Sequence, residues 1–154
     1  MADIQELADR LAIRDVIDRY STAVTQRQWD EMGACFHPES RWQCAAPFNM
    51  DFSTRKGIQE SLASTIEHGD FLHQMIHSVV IDDLAADRAK ARVVLNEMSR
   101  NSAEKTGFFL LGVYHDNLTK IDGRWGFESR IFYPYYVDTT WLPGTVAVDY
   151  AGRR

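Results

Sequence analysis

The order of periodicities along the chain predicts an α+β domain, helices first and then a run of long strands. Three observations carry this. Apolar residues recur at helical spacing over residues 4–24 and again over 58–66. From residue 73 onward they alternate with a period of two, in segments separated by turn signals. The length is that of one domain: 154 residues, 45% hydrophobic and 25% charged, enough to bury a core.

The first helix starts at Asp3, which with Glu6 resembles a capping box. Its apolar stripe is Ile4, Leu7, Ala8, Leu11, Ile13, Val16, Ile17, Tyr20, Ala23 and Val24, and it ends near Thr25. Tyr20 lies on that stripe, so its phenol is either a hydrogen-bonded core group or a donor into a pocket. Trp29 to Phe36 forms a short second helix closed by His37-Pro38. Residues 40–46 alternate Arg41 and Gln43 against Trp42 and Cys44, as a half-buried strand does. Residues 47–53 read as loop, and Phe48, Met50 and Phe52 make it a flap over a pocket or a subunit contact. A third helix runs from Thr54 to about His68, with Gly69 suited to its C-cap. The remaining strands are His73–Ile81, Ala89 to about Met98, Gly107–Lys120 and Trp125 to about Tyr136. The last two are joined at Asp122-Gly123, a pair suited to the positive φ angles of a hairpin turn.

Net charge is −5, with 17 basic against 22 acidic residues and no basic run, which argues against nucleic acid as the principal partner. No apolar run approaches the roughly 20 residues that span a bilayer, and the N-terminus lacks a signal-peptide core, so a cytoplasmic protein is expected. Cys35 and Cys44 make neither a CxxC pair nor a disulfide framework. GxGxxG, P-loop and HExxH motifs are lacking, so no cofactor and no metal are expected, and any chemistry falls to side chains.

Three features could carry that chemistry. A strand from residue 73 with strict alternation places His73, Met75, His77, Val79 and Ile81 on one face, two imidazoles among apolar neighbours. They are either satisfied core histidines or the reactive wall of a pocket. In the next strand Glu97 continues the apolar row Ala89, Ala91, Val93, Leu95, where a carboxylate is costly unless paired or protonated. It reaches water at the strand end or partners His73 or His77. In the last strand Glu128, Arg130 and Phe132 share a face. Arg130 is a surface charge, a bridge to Glu97 or Glu128, or an anion-stabilising group, and the structural bridge is favoured. The tail Tyr133-Pro134-Tyr135-Tyr136…Trp141-Leu142-Pro143 is dense in aromatics and is expected to cover a cavity mouth or another subunit.

Residues 11–42, the strand from His73, and residues 112–130 (GVYHDNLTKIDGRWGFESR) together resemble the SnoaL-like branch of the nuclear transport factor two-like superfamily. The resemblance implies one domain over 1–154, with 137–154 a lid or subunit-contact tail. It implies a cone-shaped barrel of curved, mainly antiparallel sheet, with three N-terminal helices enclosing an apolar cavity. Within the branch the chain is most similar to the cofactor-free lyases scytalone dehydratase, bile-acid dehydratase and hexachlorocyclohexane dehydrochlorinase. That similarity implies His73 as the catalytic base, with Tyr20 and Glu97 beside it; Thr25, His77, Trp42 and Arg130 are the expected substrate contacts. Thr25 stands where those lyases carry an aspartate that orients and charges the histidine, a departure that leaves altered or lost catalysis open. The expected activity is a lyase reaction, loss of water, halide or a small aldehyde from a small hydrophobic molecule, aromatic ones included. An isomerase of the ketosteroid type and a non-catalytic small-molecule-binding or assembly domain are the alternatives. A homo-oligomer is expected, a trimer ahead of a dimer.

Overall fold

The computed structural model describes residues 3–148. Helix α1 spans Ile4–Gln26, α2 Trp29–Ala34 and α3 Arg55–Ile66. The strands are β1 Phe36–Cys44, β2 Met50–Ser53, β3 Phe71–Leu84, β4 Arg88–Asn101, β5 Thr106–Ile121 and β6 Arg124–Asp138. They form one six-stranded sheet in the order β2-β1-β6-β5-β4-β3. Only the β1–β6 pair is parallel. The edges β2 and β3 are not paired to each other, so the sheet is an open, curved cone rather than a closed barrel, and the helices fill its concave side.

Helix α1 packs on the sheet only from Ile13 onward. Ile13, Ile17, Tyr20, Ala23 and Val24 are buried, whereas Ile4, Leu7 and Leu11, expected on the same stripe, are exposed. The N-terminal turns are held instead by Asp9. It is buried and takes hydrogen bonds from Lys120 Nζ at 2.7 Å and Trp125 Nε1 at 2.8 Å. Those two donors hold its carboxyl below the usual range. Asp3 caps the helix by accepting from Gln5 N–H. Glu6 does not complete a capping box but pairs with Arg10 one turn on. Arg27, in the left-handed region at φ 56°, ends the helix.

Helix α2 stops before Phe36, because Phe36 pairs with Phe127 of β6 and is fully buried, so β1 starts earlier than residue 40. Residues 50–53 are a strand rather than loop: β2 pairs antiparallel with β1, and Phe52 stacks on Trp42 with ring centroids 5.6 Å apart. In α3 the Thr54 side chain accepts from Gly57 N–H. The helix closes at Glu67 rather than at Gly69, whose N–H donates to Ile66 O. The β5–β6 turn has positive φ at both Asp122 (51°) and Gly123 (77°), as the Asp-Gly pair requires.

Curvature comes from bulges, and two of them reverse which side of a strand faces inward. The β3–β4 register shifts between Ile76 and Ser78, leaving His77 as the extra residue. Leu72, Gln74 and Ile76 therefore point to the concave side before the bulge, and Val79 and Ile81 after it. In β6 the register shifts at Glu128, so Phe127 and Arg130 are both fully buried while Glu128 is exposed.

Past β6 the chain returns across the ends of β4 and β5. Arg100 Nη1 donates to the carbonyls of Leu142 (3.0 Å) and Gly144 (2.6 Å), and its guanidinium lies over the Trp141 ring. Gly107 is needed there, because a Cβ would stand 2.2 Å from Thr140 O. Residues 149–154 of the expected tail lie outside the described residues. Among the described residues no helix is long and apolar enough to cross a membrane.

Candidate functional site

The concave face of the sheet, α1, α3 and the β1–β2 hairpin enclose a cavity of about 390 Å³. Its inner wall consists of buried residues: Tyr20 and Val24 from α1, Trp42 and Cys44 from β1, Gln74 from β3, Leu110 and Tyr114 from β5, and Phe132 from β6. Its outer rim carries more exposed groups: Thr65, His68, Arg100, Asn101 and Glu104. Glu97 of β4 stands in the wall between, half-buried.

Glu97 continues the row of Ala89, Ala91, Val93 and Leu95 into the cavity, as its place in the alternation predicts. Its partner is not a histidine. Gln74 lies directly opposite it in the β3–β4 register, and Gln74 Nε2 donates to Glu97 Oε2 at 2.8 Å. Desolvation pushes the Glu97 carboxyl up to about 7, and the Gln74 donor pulls the other way. The site thus holds a carboxyl that exchanges its proton near neutrality.

Gln74 is fixed from α1. Its N–H donates to Thr25 Oγ1 at 3.1 Å, and its carbonyl accepts from Ser21 Oγ at 3.4 Å. Thr25 is therefore a strap on the strand behind the wall and does not line the cavity. Gln74 Nε2 also approaches the Tyr114 hydroxyl at 3.4 Å, which links the carboxyl to a pair of phenols. The Tyr20 and Tyr114 rings meet edge to face with centroids 6.0 Å apart, and the Tyr20 hydroxyl accepts from Trp42 Nε1 at 3.0 Å. Burial pushes the Tyr20 phenol up to about 12 and that of Tyr114 well above its ordinary value, so both stay protonated. Each phenol oxygen accepts a hydrogen bond, Tyr20 from Trp42 and Tyr114 from Gln74, and a phenolic proton is left to donate into the cavity.

Arg130 lies behind these rings, fully buried and outside the cavity lining. It bridges neither Glu97 nor Glu128. Its Nε and Nη2 each donate to Asp116 at 2.8 Å, across the β5–β6 register. Its guanidinium carbon stands 4.0–4.4 Å from the ring centroids of Tyr114, Phe127 and Tyr20. Burial opposes the charge on Arg130, but Asp116 more than offsets it and holds the guanidinium protonated.

The two imidazoles expected on the wall are elsewhere. His73 is exposed and pairs with Met98 on the convex side; His77 is exposed at the bulge and donates to Asn96 Oδ1. The expectation failed because a strict period of two carries Val79 and Ile81 back to His73, and the bulge at His77 breaks that phase. Of the expected site residues, the fold brings Tyr20, Trp42 and Glu97 into the cavity and leaves out His73, His77, Thr25 and Arg130. Sequence reasoning missed Gln74 and Tyr114. Tyr114 had a signal: it shares the inward row of β5 with Phe108, Leu110, Asp116 and Leu118, and Asp116 breaks that row much as Glu97 breaks its own. Among the described residues no group of three or more His, Cys, Asp or Glu side chains is placed to hold a metal ion.

Solved structures of similar fold include a candidate scytalone dehydratase from Novosphingobium aromaticivorans, 20% identical, with a TM-score of 0.77 over 92% of this chain and 97% of that one. The hexachlorocyclohexane dehydrochlorinase LinA-type3 from Novosphingobium barchaimii is 16% identical, with a TM-score of 0.82 over 96% and 99% of the two chains. A second such dehydrochlorinase, LinA Type2, is 17% identical, with a TM-score of 0.82 over 96% and 98%. At these identities the likeness is one of fold. No curated protein matches the sequence. The family model of the SnoaL-like domain matches residues 5–131, and the chain belongs to that family.

Proposed function

We propose that the protein is a cofactor-free lyase for a small hydrophobic molecule, in which Glu97 rather than a histidine moves the proton. One observation carries this: an ionisable carboxyl stands in an apolar cavity wall, partnered among the described residues only by the Gln74 amide, and titrates near neutrality. The dehydratase and dehydrochlorinase names borne by the structural neighbours agree with an elimination. Ionised Glu97 takes a proton from a carbon next to a carbonyl or similar activating group. The C–H electrons form the new double bond, and the leaving group departs with its bonding pair. A halide leaves as its anion; a hydroxide takes the proton back from Glu97 and leaves as water. For release of a small aldehyde Glu97 instead takes the proton of a hydroxyl, whose O–H electrons form the aldehyde C=O while the C–C pair stays with the carbonyl-bearing fragment. The spare phenolic proton of Tyr20 and Tyr114 supports the oxygen on which negative charge grows. Proton transfer of this kind contributes about 10²–10⁴-fold, and exclusion of water adds to it.

A ketosteroid-type isomerase uses the same first step and is the second reading. It is favoured by the lack, among the described residues, of another acid of suitable strength on the inner wall: the phenols and the Cys44 thiol, pushed up to about 12, stay protonated, so Glu97 itself would return the proton. A panel of hydroxylated and halogenated cyclic ketones, followed by mass spectrometry, separates the two by loss of mass against none. On any substrate turned over, Glu97→Gln is expected to abolish activity and His73→Ala to leave it unchanged. Wild-type turnover by Glu97→Gln would overturn the proposal, and failure of the whole panel would leave the non-catalytic binding domain as the better reading.

A further inference from the structure

The inner end of the cavity offers two acceptor groups, one kind of donor and one sign of charge. The acceptors are Glu97 and Gln74 Oε1, a buried oxygen without a hydrogen-bond partner among the described residues, and the donor is a phenolic proton of the Tyr20 and Tyr114 pair. Among the described residues no lysine or arginine lines that end. Arg130 is sealed behind the rings and gives its fork to Asp116. Arg100, at the rim, is engaged by Asp70 and by the tail carbonyls. We infer that the cavity takes, polar end first, an uncharged oxygen-bearing ring compound (a phenol, an enol or a cyclic ketone), and that Glu97 selects against an anionic head. This deepens the proposed function and rests on its reading of the cavity as the substrate site.

Recognition at the inner end depends on matching donors to acceptors. A hydroxyl at the inner end donates to Glu97 or to the neighbouring Gln74 Oε1 and accepts from the phenol, so it answers an acceptor and a donor at once. A ketone oxygen accepts from the phenol and places its acidic neighbouring carbon beside the carboxyl. A carboxylate head would bring two like charges together where little water screens them, with no cation to neutralise either. An ammonium head would satisfy Glu97 but leave the phenolic donor buried and unpaired. The walls favour a flat body, since Trp42, Tyr114 and Phe132 present rings, and about 390 Å³ accommodates a bicyclic or tricyclic skeleton.

Three probes share one body and differ in the head: 2-naphthol, 2-naphthoate and 2-naphthylmethylamine, which near pH 8 are neutral, anionic and cationic. Calorimetric titration of the full chain at about pH 8, where Glu97 is mostly ionised, is expected to find 2-naphthol bound at least about tenfold more tightly than either charged probe. In Glu97→Gln the preference for 2-naphthol over 2-naphthoate should shrink about tenfold. The same narrowing is expected at about pH 5.5 in a His68→Gln variant with Glu97 intact. There the carboxyl is protonated, the rim histidine is absent, and Tyr20, Tyr114 and Cys44 stay neutral. Equal or tighter binding of either charged probe, a preference unmoved by both tests, or no binding of any probe would overturn the inference. Charge selectivity without turnover of any ketone would remove the catalytic proposal and leave this one standing; turnover without charge selectivity would do the reverse.

Discussion

Gln74 of β3 and Glu97 of β4 face each other across one rung of the sheet, and the amide of the first donates to the carboxylate of the second at 2.8 Å. The pair is set by backbone register and by the Thr25 and Ser21 hydroxyls that hold Gln74 from helix α1. It places an unusual acid in an apolar wall with one neutral donor to steady its charged form.

Replacing Gln74 by Met keeps the length and removes the donor. The ionised form of Glu97 then loses its partner, so its titration should move further up from about 7. The pH at which turnover half-rises, or the carboxyl resonance midpoint, is expected to rise in Gln74→Met. A fall would mean that Gln74 does not stabilise the charged form.

Stability should also carry the mark of Glu97, with a sign opposite to that of a salt-bridged carboxylate. The folded value, about 7, lies above that of an unfolded glutamate. Between the two values the folded state binds more protons than the unfolded one, so this group's contribution falls as pH rises through that window and is level above it. Glu97→Gln removes the penalty. The variant should exceed the wild type by roughly 2 kcal/mol at about pH 8 and match it near pH 4, as read by urea unfolding. That is less than the full difference between the two values implies, because water screens the half-buried carboxyl. A variant less stable than wild type at the higher pH would contradict this.

The Asp116–Arg130 pair is expected to behave as structure. Both side chains are fully buried, and Asp116→Asn leaves a guanidinium uncompensated among three aromatic rings, which costs about 3–5 kcal/mol. Chemical denaturation measures it. A loss under about 1 kcal/mol would mean that the rings alone carry the cation.

Much of the fold is legible in the sequence because helix and strand periods are local signals. The Asp122-Gly123 turn, the apolar run of α1 from Ile13 and the inward row ending at Glu97 all follow from spacing alone. The site is less legible because it depends on phase. One extra residue at His77 moves His73 to the outside and Gln74 to the inside, and one at Glu128 puts Phe127 on the same side as Arg130. Neither bulge has a glycine or proline at its extra residue to announce it. β2 was hidden for another reason: four residues are too short for alternation to register, and its pairing with β1 and the stacking of Phe52 on Trp42 are tertiary facts.

The most direct measurement is the titration of the Glu97 side-chain carboxyl by carbon NMR in glutamate-labelled protein, assigned by its absence in Glu97→Gln. The account predicts a midpoint near 7. A midpoint in the ordinary glutamate range, about 4.3, would mean that the carboxyl is solvated and not poised to move a proton inside the cavity.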